Sequence, residues 1–180
     1  MIKRSLILLF CGCLLFACGN EKTTEVVEKL KSVTPKKPYR WVDDIKNDPE
    51  IDDPSFELCY SDFTVKQYFN IGDETSYEGE RPAIYRFFEE NYAPVETDQS
   101  GFIRVRFIVN CKGETGRFRV ISSDENFEEM EFDPAIVDQL VSITKSMDGW
   151  KILPDPDIPT DYYQYLIFKI EKGKILEILP

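Results

Sequence analysis

Apolar and polar positions follow four patterns in succession along the chain. Residues 1–18 open with Lys3 and Arg4 and continue as a nearly unbroken apolar stretch over 5–16. Residues 18–40 are polar, and residues 41–79 mix acids with scattered aromatics. From Glu80 the pattern becomes periodic. Ile84, Phe87, Phe88 and Tyr92 recur at helical spacing, with Pro82 in the first turn and Pro94 closing the segment. Residues 101–110 alternate Ile103, Val105, Phe107 and Val109 against Arg104 and Arg106, which predicts a half-buried strand. Residues 111–114 form a turn, and 116–122 return with Phe118 and Val120 set against Arg117 and Arg119, completing a hairpin. Asp133 is placed as an N-cap with Pro134 at the first helical position. Ile136, Leu140, Ile143 and Met147 then share one helix face, and Gly149 is expected to end the helix in a left-handed conformation. Beyond the Pro-rich loop 153–159, Leu166, Phe168 and Ile170 alternate with Tyr165, Ile167 and Lys169. Gly173 turns the chain into a last short strand. The order helix, strand, strand, helix, strand, strand predicts an α+β domain over 80–180, with two helices packed on an antiparallel sheet.

The apolar stretch over 5–16 is shorter than the roughly 20 residues a membrane-spanning helix needs, and it matches a signal-peptide core. Leu15-Phe16-Ala17-Cys18 resembles the lipobox of bacterial lipoproteins, with Leu at −3, a small residue at −1 and Cys at +1. The resemblance implies that residues 1–17 are removed, that Cys18 is acylated, and that the chain is held by lipid on a membrane of the bacterial cell envelope. Gly19 and Asn20 leave no Asp after the cysteine, which by the same resemblance favours the outer membrane. The other reading is an ordinary secretory signal whose cysteines are incidental. Residues 18–40, with Lys-rich EKLKS and TPKKP, read as a flexible tether. Residues 41–79 read as an acidic lead-in that packs on the domain through Phe56, Leu58, Tyr60 and Phe63.

Composition narrows the chemistry. A hydrophobic share of 42% with 13% aromatics fills a core. Lys and Arg number 22 against 33 Asp and Glu, a net charge of −11, so the surface repels a phosphate backbone and nucleic acid is excluded as a partner. There is no histidine, which removes Ser-His-Asp and Cys-His catalysis and His-ligated zinc. The acids Asp43, Asp44, Asp48, Asp52 and Asp53 lack the alternation, central Gly and closing Glu of a calcium loop. No carboxylate pair stands out by spacing, and no Gly-rich phosphate loop is present. The expectation is a protein that is not an enzyme, with no cofactor and no metal. Once the leader is removed, Cys59 and Cys111 accompany only Cys18. In an oxidising compartment they are expected to form a disulfide, the alternative being two free buried thiols. Arg104, Arg106, Arg117 and Arg119 would form a basic stripe on one sheet face. It either receives an anionic ligand or acidic strand, or pairs with acids of neighbouring elements.

GFIRVRFIVNCKGETGRFRVISS, FDPAIVDQLVSITKSMDGWK and YYQYLIFKI, taken in order, are similar to the TonB C-terminal domain. The points of contact are Gly101 before the strand, Val109-Asn110 at its end, Lys112-Gly113 in the turn, Asp133 opening the helix and Trp150 after it. The similarity covers roughly residues 80–170. The cleaved leader replaces the family's N-terminal transmembrane helix, so coupling to an inner-membrane motor is not implied. What the resemblance does imply is a fold of this class and partner binding by β-strand pairing. Its candidate edge is the strand carrying Tyr162, Tyr163, Tyr165 and Ile167. The alternative is that these tyrosines cover the sheet and the last strand seals the edge. The expected function is that of a non-catalytic protein-binding or accessory module in the envelope. The second reading is a structural lipoprotein that binds a small ligand or an envelope polymer.

Overall fold

A computed structural model of the chain describes residues 44–67, 76–152 and 160–179. The leader 1–17, Cys18, the tether 18–40 and the loop 153–159 lie outside the described residues.

Five strands build one sheet: β1 (Lys66–Gln67), β2 (Gly101–Val109), β3 (Thr115–Ser123), β4 (Tyr162–Glu171) and β5 (Lys174–Leu179). β4 pairs along its length with β2, which pairs in turn with β3. The other side of β4 carries β1 at Tyr162 and Tyr163 and β5 at residues 167–171. β1 runs parallel to β4, so the sheet is mixed rather than purely antiparallel. The parallel pair arises because the lead-in passes along the start of β4, where Lys66 N–H donates to Asp161 O at 2.9 Å.

Two helices, α1 (Glu80–Asn91) and α2 (Pro134–Lys145), cover one face of this sheet. Ile84 and Phe88 of α1 and Ile136, Leu140 and Ile143 of α2 join Ile103, Val105, Phe107, Leu166, Phe168 and Ile170 in the main core. The alternation read from the sequence is what brings these strand residues to the helices. Phe88 meets Phe168 with ring centroids 4.7 Å apart. The Asp133 side chain caps α2 by accepting from Ala135 N–H at 2.8 Å, with Pro134 next in line, as its sequence predicts.

Three local expectations are corrected. Gly149 is not a left-handed cap, because α2 ends at Lys145 with Ser146 in a right-handed conformation. The glycine serves close approach instead: a Cβ there would lie 2.9 Å from the ring of Tyr77, which meets the Trp150 ring edge-on at 5.0 Å and whose backbone bridges to Trp150. β3 carries a bulge, since Arg106 pairs with Arg119 but Ile108 with Gly116. Arg117 takes φ 53 at that point; Val120, directly opposite the buried Val105, keeps to the helix-covered face but is 36% exposed because β3 is the outer strand. In the lead-in, Phe56 and Leu58 pack on the domain with Ile45 and Val65, against Ile108 and Tyr163. Tyr60 and Phe63 do not; Phe63 is fully exposed because it sits in a single turn of 3-10 helix over Asp62–Thr64 with no buried residue.

The edge at β5 is closed by design of the neighbouring helix. Tyr85 of α1 directs its hydroxyl at Ile178, accepting from its N–H at 2.9 Å and donating to its C=O at 3.0 Å. A second bulge leaves Leu176 without a strand partner. The β4–β5 turn, Lys172 at φ 48 and Gly173 at φ 70, is clamped by Tyr92 and Val95; a Cβ on Gly173 would lie 1.9 Å from Val95 O. Tyr85→Phe strips both partners from Ile178. It is expected to lower stability by about 1–3 kcal/mol in chemical denaturation, and to raise self-association in sedimentation as the edge opens.

Candidate functional site

The expected edge at β4 does not exist. β4 is an interior strand, and its four candidate residues divide by face. Tyr162 is fully buried in the main core, with its hydroxyl donating to Lys151 O at 2.8 Å. Tyr163 is buried in the second cluster beneath the lead-in; burial, reinforced by the charge of Asp44, pushes its phenol above the usual range. Tyr165 and Ile167 are half-buried on the face opposite the helices, where Arg104 stacks over the Tyr165 ring at 4.2 Å. The physical reason is that β1 and β5 occupy the side of β4 that an incoming strand would need.

The basic stripe is real, and the lead-in's acids meet two of its members. Arg119 donates to both carboxylate oxygens of Asp52, at 2.6 and 2.8 Å, and to Lys46 O at 2.7 Å. Arg117 pairs with Asp62 and reaches Ile45 O at 3.3 Å. The Arg119 guanidinium, first among the influences on it, holds the Asp52 carboxyl below the usual carboxylate range. Arg106 is buried under the same cover.

Cys59 and Cys111 are joined in a disulfide that closes a separation of 52 residues, with Cα atoms 6.0 Å apart. Beside it stands Asp161, only 1% exposed. Its carboxylate accepts from Cys59 N–H at 3.0 Å, Tyr60 N–H at 3.3 Å and Cys111 N–H at 3.0 Å. Asn110 completes the junction. Its Oδ1 accepts from Lys112 and Glu114 N–H within the hairpin turn, and its Nδ2 donates to Glu57 O at 3.0 Å. Cys59, Cys111 and Asp161 bring two sulfurs and a carboxylate oxygen within 4.8 Å of one another. The sulfurs are bonded to each other and the carboxylate is engaged by backbone donors, so the cluster reads as a structural clasp rather than a metal centre. Nothing in the local sequence of Asp161 signals this role, because its partners lie 50 and more residues away. Asn110 does carry a signal, as the residue ending a strand before a Gly-containing turn.

Among the described residues the longest strand edge is the outer side of β3. At its far end the chain already pairs with itself: Met130 N–H donates to Ser122 O at 3.3 Å, and Asp124 N–H to Glu128 O at 2.9 Å, with Ser123 bridging Glu129. Ladder alternation turns the N–H and C=O of Val120 to the same outer side. No backbone partner meets them among the described residues. Along this edge lies a groove of about 350 Å³, with Gly116, Phe118 and Val120 as its floor. Ile51, Asp52 and Asp53 of the lead-in form one wall, and Val141 and Lys145 of α2 the other. A distant bulge, a loop and a helix meet here, so no local pattern reveals it.

Two predictions concern the clasp and the arginine pairs. Asp161→Asn is expected to cost about 2–4 kcal/mol, from the loss of charge-assisted bonds at a buried site, and the double variant Cys59→Ser/Cys111→Ser about 4 kcal/mol in the chain-entropy account; both are read by urea denaturation. Because the folded carboxyl of Asp52 titrates lower than the unfolded one, its contribution is full above the unfolded value of about 3.9. It is lost as pH falls through the folded value. Amide exchange at residues 46–52 should therefore stay slow down to about pH 4 and rise below it, ahead of the core strands.

Among the described residues no helix is long and apolar enough to cross a membrane. Comparison of the chain with protein-family models, with curated proteins and with solved structures finds no match.

Proposed function

We propose that this chain is a lipid-anchored protein of the bacterial cell envelope, held through Cys18 on the outer membrane. Its domain acts as a non-catalytic module that binds a partner protein by strand addition. The observation that carries the reading is the outer edge of β3. The chain itself adds a short antiparallel segment, Glu128 to Met130, to one end of that edge. It then leaves the continuation open at Val120 above a groove with walls on both sides. Backbone bonds to Val120 would fix the register of an extended segment, and the groove would take its side chains.

The bulge at Arg117 and Phe118 limits how far such pairing runs. A short strand therefore depends heavily on its side chains, which Phe118, Val141 and Ile51 would meet with apolar surface. The element order and the helix-covered sheet support kinship with the TonB C-terminal domain. The closure of β4 and β5 moves the interaction to a different edge from the one that resemblance implies. The lead-in helps build the groove through Asp52, so the Arg119–Asp52 pair contributes to recognition as well as to stability.

Two measurements test the proposal. Cys18→Ala should release the protein from the membrane fraction and leave its mass without acyl groups; unchanged membrane association would contradict the anchor. Val120→Pro removes the outward N–H from an edge strand, where proline is tolerated. It should abolish recovery of the crosslinked envelope partner from intact cells while leaving the melting profile close to that of the parent. Undiminished recovery would contradict strand addition at β3.

A further inference from the structure

A second groove, of about 510 Å³, runs between α1 and β5. Its walls are largely apolar, from Phe88, Tyr92 and Pro94 on the helix side and Ile175, Leu176 and Ile178 on the strand. Leu176 is 55% exposed at the bulge in β5, and Tyr85 is also exposed. The only charged residues on the lining are Glu89 and Lys174. Both side chains are exposed, and no ion pair joins them.

What this groove can hold follows from what it lacks. The Tyr85 hydroxyl satisfies both outward backbone groups of Ile178, and Leu176 is bulged out of register, so an incoming strand finds no ladder to extend. A helix with its side chains is about 10–12 Å across and rises about 5.4 Å per turn, so the groove holds little more than one turn. An occupant that needs neither backbone bonds nor a wide cleft is an unbranched hydrocarbon chain. The volume lies within the range of about 300–1,000 Å³ typical of small-molecule sites, which pair apolar walls with a few polar groups. One acid and one base on the lining match a headgroup bearing both charges. A fatty acid carries only the negative charge, so it would match Lys174 and leave Glu89 without a cation, whereas a zwitterionic headgroup matches both.

We propose that the α1–β5 groove binds the acyl chain of a zwitterionic lysophospholipid, with the phosphate toward Lys174 and the ammonium toward Glu89. This site is separate from the β3 edge and does not rest on strand addition there. It gives an envelope protein a means of sensing or holding a single-chain lipid at the membrane surface.

The test uses the oxidised full chain carrying Cys18→Ser, which keeps every groove residue and has no acyl groups of its own. Monomeric 1-myristoyl lysophosphatidylethanolamine is titrated against methyl-labelled protein. Saturable one-to-one binding is expected, with shifts concentrated on the methyls of Ile175, Leu176 and Ile178. Affinity should fall about tenfold for each two carbons removed from the chain. Leu176→Asp, an exposed substitution that spares the core, should weaken binding at least about tenfold, and Glu89→Lys should weaken the lysolipid while strengthening myristate. Absence of saturation before micelles form would overturn the proposal. So would shifts centred on Phe118 and Val120, an unaffected Leu176→Asp, or myristate binding as tightly as the lysolipid.

Discussion

The architecture hangs on one buried carboxylate. Asp161 opens β4, and its two oxygens gather backbone N–H groups from the lead-in at Cys59 and Tyr60 and from the β2–β3 turn at Cys111. A buried carboxylate without partners would cost several kcal/mol, so the three segments are held together by the penalty of separating them. The disulfide sits on the same three-way junction and makes it covalent. Asn110 extends it to Glu57, and the Asp161 carbonyl receives Lys66 to start β1. From this point outward the lead-in lies across the sheet face opposite the helices, where Asp52 and Asp62 meet Arg119 and Arg117.

That cover determines which surfaces remain for function. With β1 and β5 against β4 and Tyr85 against β5, the outer edge of β3 is the strand edge left with open backbone at Val120. The groove beside it exists because Asp52, pinned by Arg119, raises a wall opposite α2. The same closure of β5 makes the α1 groove unfit for a strand and suited to hydrocarbon. Two grooves on one sheet thus differ in what they recognise because one edge keeps its hydrogen-bonding groups and the other has them satisfied internally.

Local signals in the sequence were strong where periodicity and capping chemistry act. The apolar positions of α2 from Ile136 to Ile143, its Asp133 cap, and the core-facing alternation of β2 and β4 appear in the fold as their patterns predict. β2, read as half-buried, is instead buried on both faces from Val105 onward, because the lead-in covers its second face. Failures arose where a non-local contact overrides a local rule. Gly149 looked like a helix cap and instead makes room for Tyr77, 72 residues earlier. Val120 shares the helix-covered face with Val105 as its alternation predicts, yet it is 36% exposed because β3 is an outer strand, which its own sequence does not record. The YYQY run read as an exposed edge because nothing within it records that β1 and β5 flank it. Asp161 was invisible for the same reason, since a lone acid before a strand has no signature until its distant donors are in place.

The most direct measurement is photocrosslinking in intact cells, with a photoreactive residue at Val120 and, in a second chain, at the fully exposed Phe63. The account predicts a single dominant adduct from position 120 that maps to a short extended segment of one envelope protein, and only diffuse labelling from position 63. Equal, diffuse labelling from both positions would contradict strand addition at β3.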